Sequence, residues 1–177
     1  QRVEIRHTPY GDFTTTYDGR AAWQAAPIEF RPIAVLGFTG GELEGAAVDA
    51  KLTFPGRLKQ AFTNWVSGPV TVIDDHDVQI VQGDSAPGFP VKLYFDVESG
   101  LLLRSVRYAN SPVGRVPVQI DYSDYRDVSG VKVPFKWIST WTDGRTVFEL
   151  SSVQVNTAVD AAKFAKPAAP RPPAPAR

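Results

Sequence analysis

The sequence contains no cysteine, no methionine and only two histidines. Without cysteine there is no disulfide, no thiolate metal ligand, no cysteine nucleophile and no covalent haem attachment through a C-x-x-C-H motif. Net charge is absent as well: nineteen Lys and Arg balance nineteen Asp and Glu. A dominant role on nucleic acid or on an anionic membrane therefore lacks its usual electrostatic support. No apolar run approaches the length that crosses a bilayer as a helix. Methionine is missing even from the first position, Gln1, so an upstream piece is expected: a signal peptide, a longer N-terminal portion of the domain, or a preceding domain.

What is present is enough apolar residue for one real core in 177 residues. Alternation in Arg2-Val3-Glu4-Ile5-Arg6-His7-Thr8, a turn at Gly11-Asp12 and the β-formers Phe13-Thr14-Thr15-Thr16-Tyr17 predict a hairpin. Asp18-Gly19 turns the chain into a third short strand at Ala21-Ala22-Trp23-Gln24, adjacent and antiparallel to the first two. A helical insert is expected near 41–62. There Leu43, Ala46, Ala47 and Ala50 follow helical spacing behind an acidic first turn, and Phe54-Pro55-Gly56 interrupts them.

Strands resume at 70–73 and 78–82, then at 91–96, 101–108, 116–126, 131–142 and 145–155. They are joined by turn signals, of which Glu98-Ser99-Gly100, Ser129-Gly130 and Asp143-Gly144 are the clearest. The period-two rule places Val131, Val133, Phe135 and Trp137 on one face and Lys132 and Lys136 on the other, so one face is packed and one is wetter. The fold class that follows is mainly β: an antiparallel meander with a short helical insert, one domain over 1–164. From 165 to 177 the composition turns to Pro, Ala and Arg with no acid, which favours an extended tail.

Few constellations carry chemistry. Asp74-Asp75-His76-Asp77 is the densest cluster of metal-binding or acid–base groups, but it lacks the spacing of a calcium loop and sits between two apolar strands, where Asp and His are ordinary turn residues. Gly37-Phe38-Thr39-Gly40-Gly41-Glu42 is not followed by the Lys and Ser/Thr of a phosphate loop, and Glu42 would repel a phosphate. His7 and His76 stand apart from any serine nucleophile motif. Asp121, Asp124 and Asp127 read as a solvated sheet face rather than a glycosidase pair. No enzyme, metal site or resident cofactor is expected. The aromatics are sharper: Phe135, Trp137 and Trp141 share a strand and a parity, and with Phe148 they are core residues or the lining of an apolar cavity.

These residues also support a comparison. Val91-Lys92-Leu93-Tyr94-Phe95-Asp96 with Gly100-Leu101-Leu102-Leu103-Arg104, and Asp124-Tyr125-Arg126-Asp127-Val128-Ser129-Gly130-Val131-Lys132-Val133-Pro134, resemble the hairpins of the bacterial outer-membrane lipoprotein-sorting superfamily, the LolA/LolB-like fold. With Tyr17-Asp18-Gly19-Arg20-Ala21-Ala22-Trp23 and Phe54-Pro55-Gly56-Arg57-Leu58-Lys59-Gln60-Ala61-Phe62, the chain is similar to the domain found C-terminal to photosynthetic-reaction-centre-type cytochromes c of acidobacteria and relatives. The resemblance implies a strongly curved antiparallel sheet, a partial barrel, in the periplasm, and carries over no catalytic residue. Relatives begin with a helix and at least one more strand before the position of Gln1, which points to a fragment or processed product.

The expectation that follows is a non-enzymatic periplasmic accessory subunit docking on a membrane-bound electron-transfer complex, a reaction centre with multihaem cytochrome c. Its haem would belong to the partner, and membrane contact would come only through partners. Pro167, Arg171, Pro172, Pro173 and Arg177 of the tail are the candidate partner-binding residues. The alternative is a periplasmic lipid or lipoprotein carrier holding an acyl chain on the concave face near Phe135, Trp137, Trp141 and Phe148.

Overall fold

The computed structural model describes residues 1–8, 11–27, 32–53, 58–111, 114–142 and 144–170. The chain is mostly β, with antiparallel pairing between every pair of neighbouring strands. Among the described residues its strands form two antiparallel sheets, of four and of seven strands. Chain contacts divide it into two units, Gln1–Phe54 with Ala158–Arg177, and Pro55–Thr157.

In the first unit, β1 (Arg2–Thr8), β2 (Gly11–Tyr17), β3 (Ala22–Ala25) and β4 (Val35–Gly37) lie in chain order. The predicted adjacency of the first three strands holds. The turn before β3 is closed by the Asp18 carboxylate, which accepts the N–H groups of Arg20 at 2.7 Å and Ala21 at 2.8 Å. The three-residue β4 carries too little pattern to be read from the sequence.

α1 (Gly40–Leu52) follows, with Glu42 in its first turn and Lys51 in its last, each sign at the end the helix dipole favours. Its buried face is Gly45, Ala47, Val48 and Leu52, one step round from the predicted stripe. Gly45 does not break the helix. It is buried within the helix. A single 3-10 turn at Ala161–Phe164 is capped by Asp160, which accepts the N–H of Ala162 at 2.9 Å. Arg2 donates to the carbonyl of Lys163 at 3.0 Å, tying this turn to β1.

In the second unit, the short α2 (Leu58–Ala61) precedes seven strands: β5 (Thr63–Ile73), β6 (His76–Asp84), β7 (Pro90–Asp96), β8 (Leu102–Ser111), β9 (Gly114–Val128), β10 (Val131–Trp141) and β11 (Gly144–Glu149). Each pairs with its neighbours in the chain, so the sheet is an up-and-down meander with β5 and β11 as open edges. An open sheet is what a partial barrel requires.

Two boundaries differ from expectation. β5 begins at Thr63, not at 70, because Gly68 and Pro69 read as a stop but sit within an edge strand as an irregularity in register with β6. β11 ends at Glu149, not at 155. Leu150 still donates its N–H to the carbonyl of Phe135 at 2.8 Å, after which the chain leaves the sheet and Asn156 adopts φ 58°.

Candidate functional site

Residues opposite one another across antiparallel strands share a face, so the register of the seven-stranded sheet defines what each face carries. Phe148 on β11 lies opposite Trp137 on β10, and Trp137 opposite Tyr122 on β9. The Trp137 and Phe148 rings stack at 5.1 Å and 13°. The Tyr122 hydroxyl lies 3.3 Å from the Ser105 hydroxyl on β8, and Ser105 is opposite Leu93 on β7, which is opposite Val81 on β6. Ser105, Leu93 and neighbouring Val91 are buried. Beyond them, Gly83 stands beneath Phe62 and Trp65, whose rings meet edge to face at 5.6 Å. One face of the sheet thus carries a line of mostly apolar and aromatic side chains from β11 to β5, with Arg107 opposite Val91 and Arg126 opposite Val133 on the same face.

On the opposite face, ion pairs join β8 to β9, β9 to β10 and β10 to β11, while Val78 on β6 is buried there. Arg104 on β8 pairs with Asp121 on β9, which also accepts from Gln119 at 2.7 Å. Lys136 meets Glu149 at 2.8 Å across β10 and β11, and Lys132 lies 3.9 Å from Asp127. Lys132 and Lys136 therefore occupy the wetter face that parity assigned them.

The four nominated aromatics share one face but not one environment. Trp137 and Phe148 are brought together, half-buried. Phe135 is buried, with the Arg126 guanidinium 4.3 Å from its ring centre, and Asp124 holds that guanidinium through bonds of 3.1 and 2.5 Å. Trp141 is exposed at the β10–β11 hairpin, its ring so close over Gly144 that a Cβ there would lie 2.4 Å from it. Tyr122, Ser105, Leu93 and Trp65 were not nominated by the sequence. Their place on the band depends on cross-strand register, which no local pattern records.

Of Asp74-Asp75-His76-Asp77, the first two form the β5–β6 turn, and His76 and Asp77 begin β6. Asp74 and Asp75 both take positive φ, 47° and 65°, the conformation of a tight two-residue hairpin loop. Beside it His76 Nδ1 lies 3.3 Å from Asp96 Oδ2. The Asp96 carboxylate accepts the N–H of Glu98 at 3.0 Å and the hydroxyl of Ser99 at 2.9 Å. Those bonds, the Glu98 N–H first, hold its carboxyl below the usual carboxylate range, with His76 adding a smaller pull. The open depression here, about 290 Å³, is lined by Asp75, His76, Asp77, Asp96, Val97 and Glu98. Asp96 is spent on closing the 96–101 turn. Among the described residues no group of three or more His, Asp or Glu is arranged to hold a metal ion.

Asp121, Asp124 and Asp127 each have their own partner, Arg104, Arg126 and the Gly130 N–H, and they do not converge. Pro167 is buried, whereas Arg171, Pro172, Pro173 and Arg177 lie outside the described residues. No helix among the described residues is long and apolar enough to cross a membrane.

No family model matches the chain, and no curated protein matches it. Among solved structures it is similar to a crystal structure described as an outer membrane lipoprotein-sorting protein domain from Vibrio parahaemolyticus. The TM-score is 0.43 and the identity 11%, over 88% of this chain and 78% of that one.

Proposed function

We propose that this chain is a non-catalytic periplasmic carrier that holds an acyl chain, free or attached to a lipoprotein, against the apolar face of its seven-stranded sheet. The observation that carries this reading is the band from Phe148 and Trp137 through Tyr122 and Leu93 to Trp65, apolar over a length no single side chain needs for packing. An acyl chain asks of a protein only extended apolar surface and exclusion of water, with a few polar groups near one end. The Ser105 and Tyr122 hydroxyls, 3.3 Å apart within the band, are of that kind. No nucleophile or acid–base pair is needed.

The test is titration of the delipidated protein with a fluorescent fatty acid, alongside mass spectrometry of lipid that co-purifies from the native source. Saturable binding is expected, weakened about tenfold by Trp137→Ala or Phe148→Ala. Absence of saturable binding together with absence of co-purifying lipid would overturn it.

A second reading has its own observation. The base of the C-terminal segment, just before the Pro- and Arg-rich sequence, is fastened to its unit by the Arg2 bond to Lys163 and by burial of Pro167. In this reading the chain is an accessory subunit docked on a membrane-bound electron-transfer complex, a reaction centre with multihaem cytochrome c. Arg171, Pro172, Pro173 and Arg177 make the contact, and the haem belongs to the partner. Pull-down from native membranes should recover cytochrome or reaction-centre polypeptides, and loss of capture on deleting residues 171–177 would tie it to the tail. Recovery of neither polypeptide would exclude it.

A further inference from the structure

The cations of the seven-stranded sheet differ in what the ladder sets opposite them. Arg104, Lys132 and Lys136 each stand directly across from a carboxylate, that of Asp121, Asp127 and Glu149 in turn. Arg126, on the apolar face, lies over Phe135 and is held by Asp124 along its own strand. Arg107 is on that face too, half-buried, and its cross-strand neighbours are Val91 on β7 and Val118 on β9. The ladder thus places a guanidinium among valines, where its charge is poorly solvated and an anion beside it gains most.

The polar groups nearest to Arg107 on this face are hydroxyls. Ser105 lies two residues along β8, on the same face and about 7 Å away. Asp121 is opposite Arg104, so Tyr122 leans along β8 in the direction of Arg107 to bring its hydroxyl 3.3 Å from that of Ser105. A guanidinium and a phenol in line suit an oxyanion, because the planar fork takes two oxygens at once and a hydroxyl donates to either. The fork carries several N–H donors, so an interaction that Arg107 already makes within the fold leaves others for a ligand. An alcohol, ester or amide head offers this site no charge to match.

Resting on the carrier reading, we propose that Arg107 is the head-group site of the apolar face. The ligand it selects is a single-chain amphiphile with an oxyanion head, a fatty carboxylate or an alkyl phosphate, rather than the esterified or amide-linked chain of a lipoprotein. The Tyr122 hydroxyl is the second contact to the head, and the tail lies on the apolar side chains that continue the line.

Displacement of the uncharged dye Nile red from the full chain by dodecanoate, dodecyl phosphate and dodecanol, each below its micelle threshold, tests this, since the three share one tail. At least one of the oxyanions is expected to bind at least about tenfold tighter than dodecanol, and the tighter of the two names the head. Arg107→Gln should remove that preference and leave dodecanol unchanged, while Arg107→Lys, a compact cation without the fork, should restore part of it. Dodecanol as tight as both oxyanions would overturn the head-group site and leave the carrier reading standing. Displacement by none of the three would overturn both. A preference that survives Arg107→Gln, or an equal loss of all three ligands in a folded Arg107→Gln, would also overturn the assignment. Circular dichroism separates loss of the site from loss of fold, and the comparison of heads on the unaltered chain stands whether or not a variant folds.

Discussion

Trp137 and Phe148 face each other directly across β10 and β11, their rings 5.1 Å apart and nearly parallel at 13°. Such a pair contributes about 1 kcal/mol beyond the area it buries. Phe148→Ala is expected to lower stability by about 2 kcal/mol. A double-mutant cycle with Trp137→Ala, followed by urea unfolding, should return a coupling of about 1 kcal/mol. A coupling near zero would mean that the rings act independently.

Gly83 is occupied space in all but name. A Cβ there would lie 2.9 Å from Phe62 Cβ and 3.0 Å from the Trp65 ring. Gly83→Ala should therefore cost about 1–3 kcal/mol through overpacking and shift the Trp65 emission. Chemical denaturation followed by fluorescence reads both.

Tyr125 donates its hydroxyl to the carbonyl of Leu102 at 2.5 Å, and burial pushes its phenol well above the ordinary value. The folded state thus keeps this proton more tightly than the unfolded chain does. Stability from this group is whole below about pH 10, the unfolded value, and is lost as pH rises beyond it. Tyr125→Phe should cost about 1 kcal/mol at neutral pH and make the alkaline loss shallower. Urea unfolding across alkaline pH decides it, and an unchanged alkaline slope in the variant would contradict the assignment.

On the acid side, Asp96 has the opposite sign. Its lowered carboxyl means that the folded state prefers the ionised form. Its stabilisation is present above the usual carboxylate range and disappears as pH falls through the lowered value. Asp96→Asn should reduce the melting temperature at neutral pH and flatten its fall in acid, with Ser99→Ala intermediate. Scanning calorimetry over an acid series is the measurement.

Much of the fold is written in local signals. Residues 98–100 and the Ser129-Gly130 pair mark the hairpins at which β7 passes to β8 and β9 to β10, and the parity of Lys132 and Lys136 names the wet face. β5 was half legible because Gly68 and Pro69 send the same signal whether they end a strand or bulge it. The end of β11 was not legible, since the β-formers Val153 and Val155 read as strand although the ladder stops at Glu149. The candidate site divides the same way. Phe135, Trp137 and Trp141 follow from parity along one strand, whereas Tyr122, Ser105 and Leu93 join them only through the register of four strands, a property of pairs and not of any one segment.

The strict chain order of the seven-stranded sheet bears on how the protein is made. Every ladder in it joins strands consecutive in the chain, so closing each costs only a short loop and no strand waits for a distant mate. During synthesis β6 emerges onto β5, β7 onto β6, and so on to β11. The sheet can be laid down hairpin by hairpin at one growing edge while the ribosome is still at work.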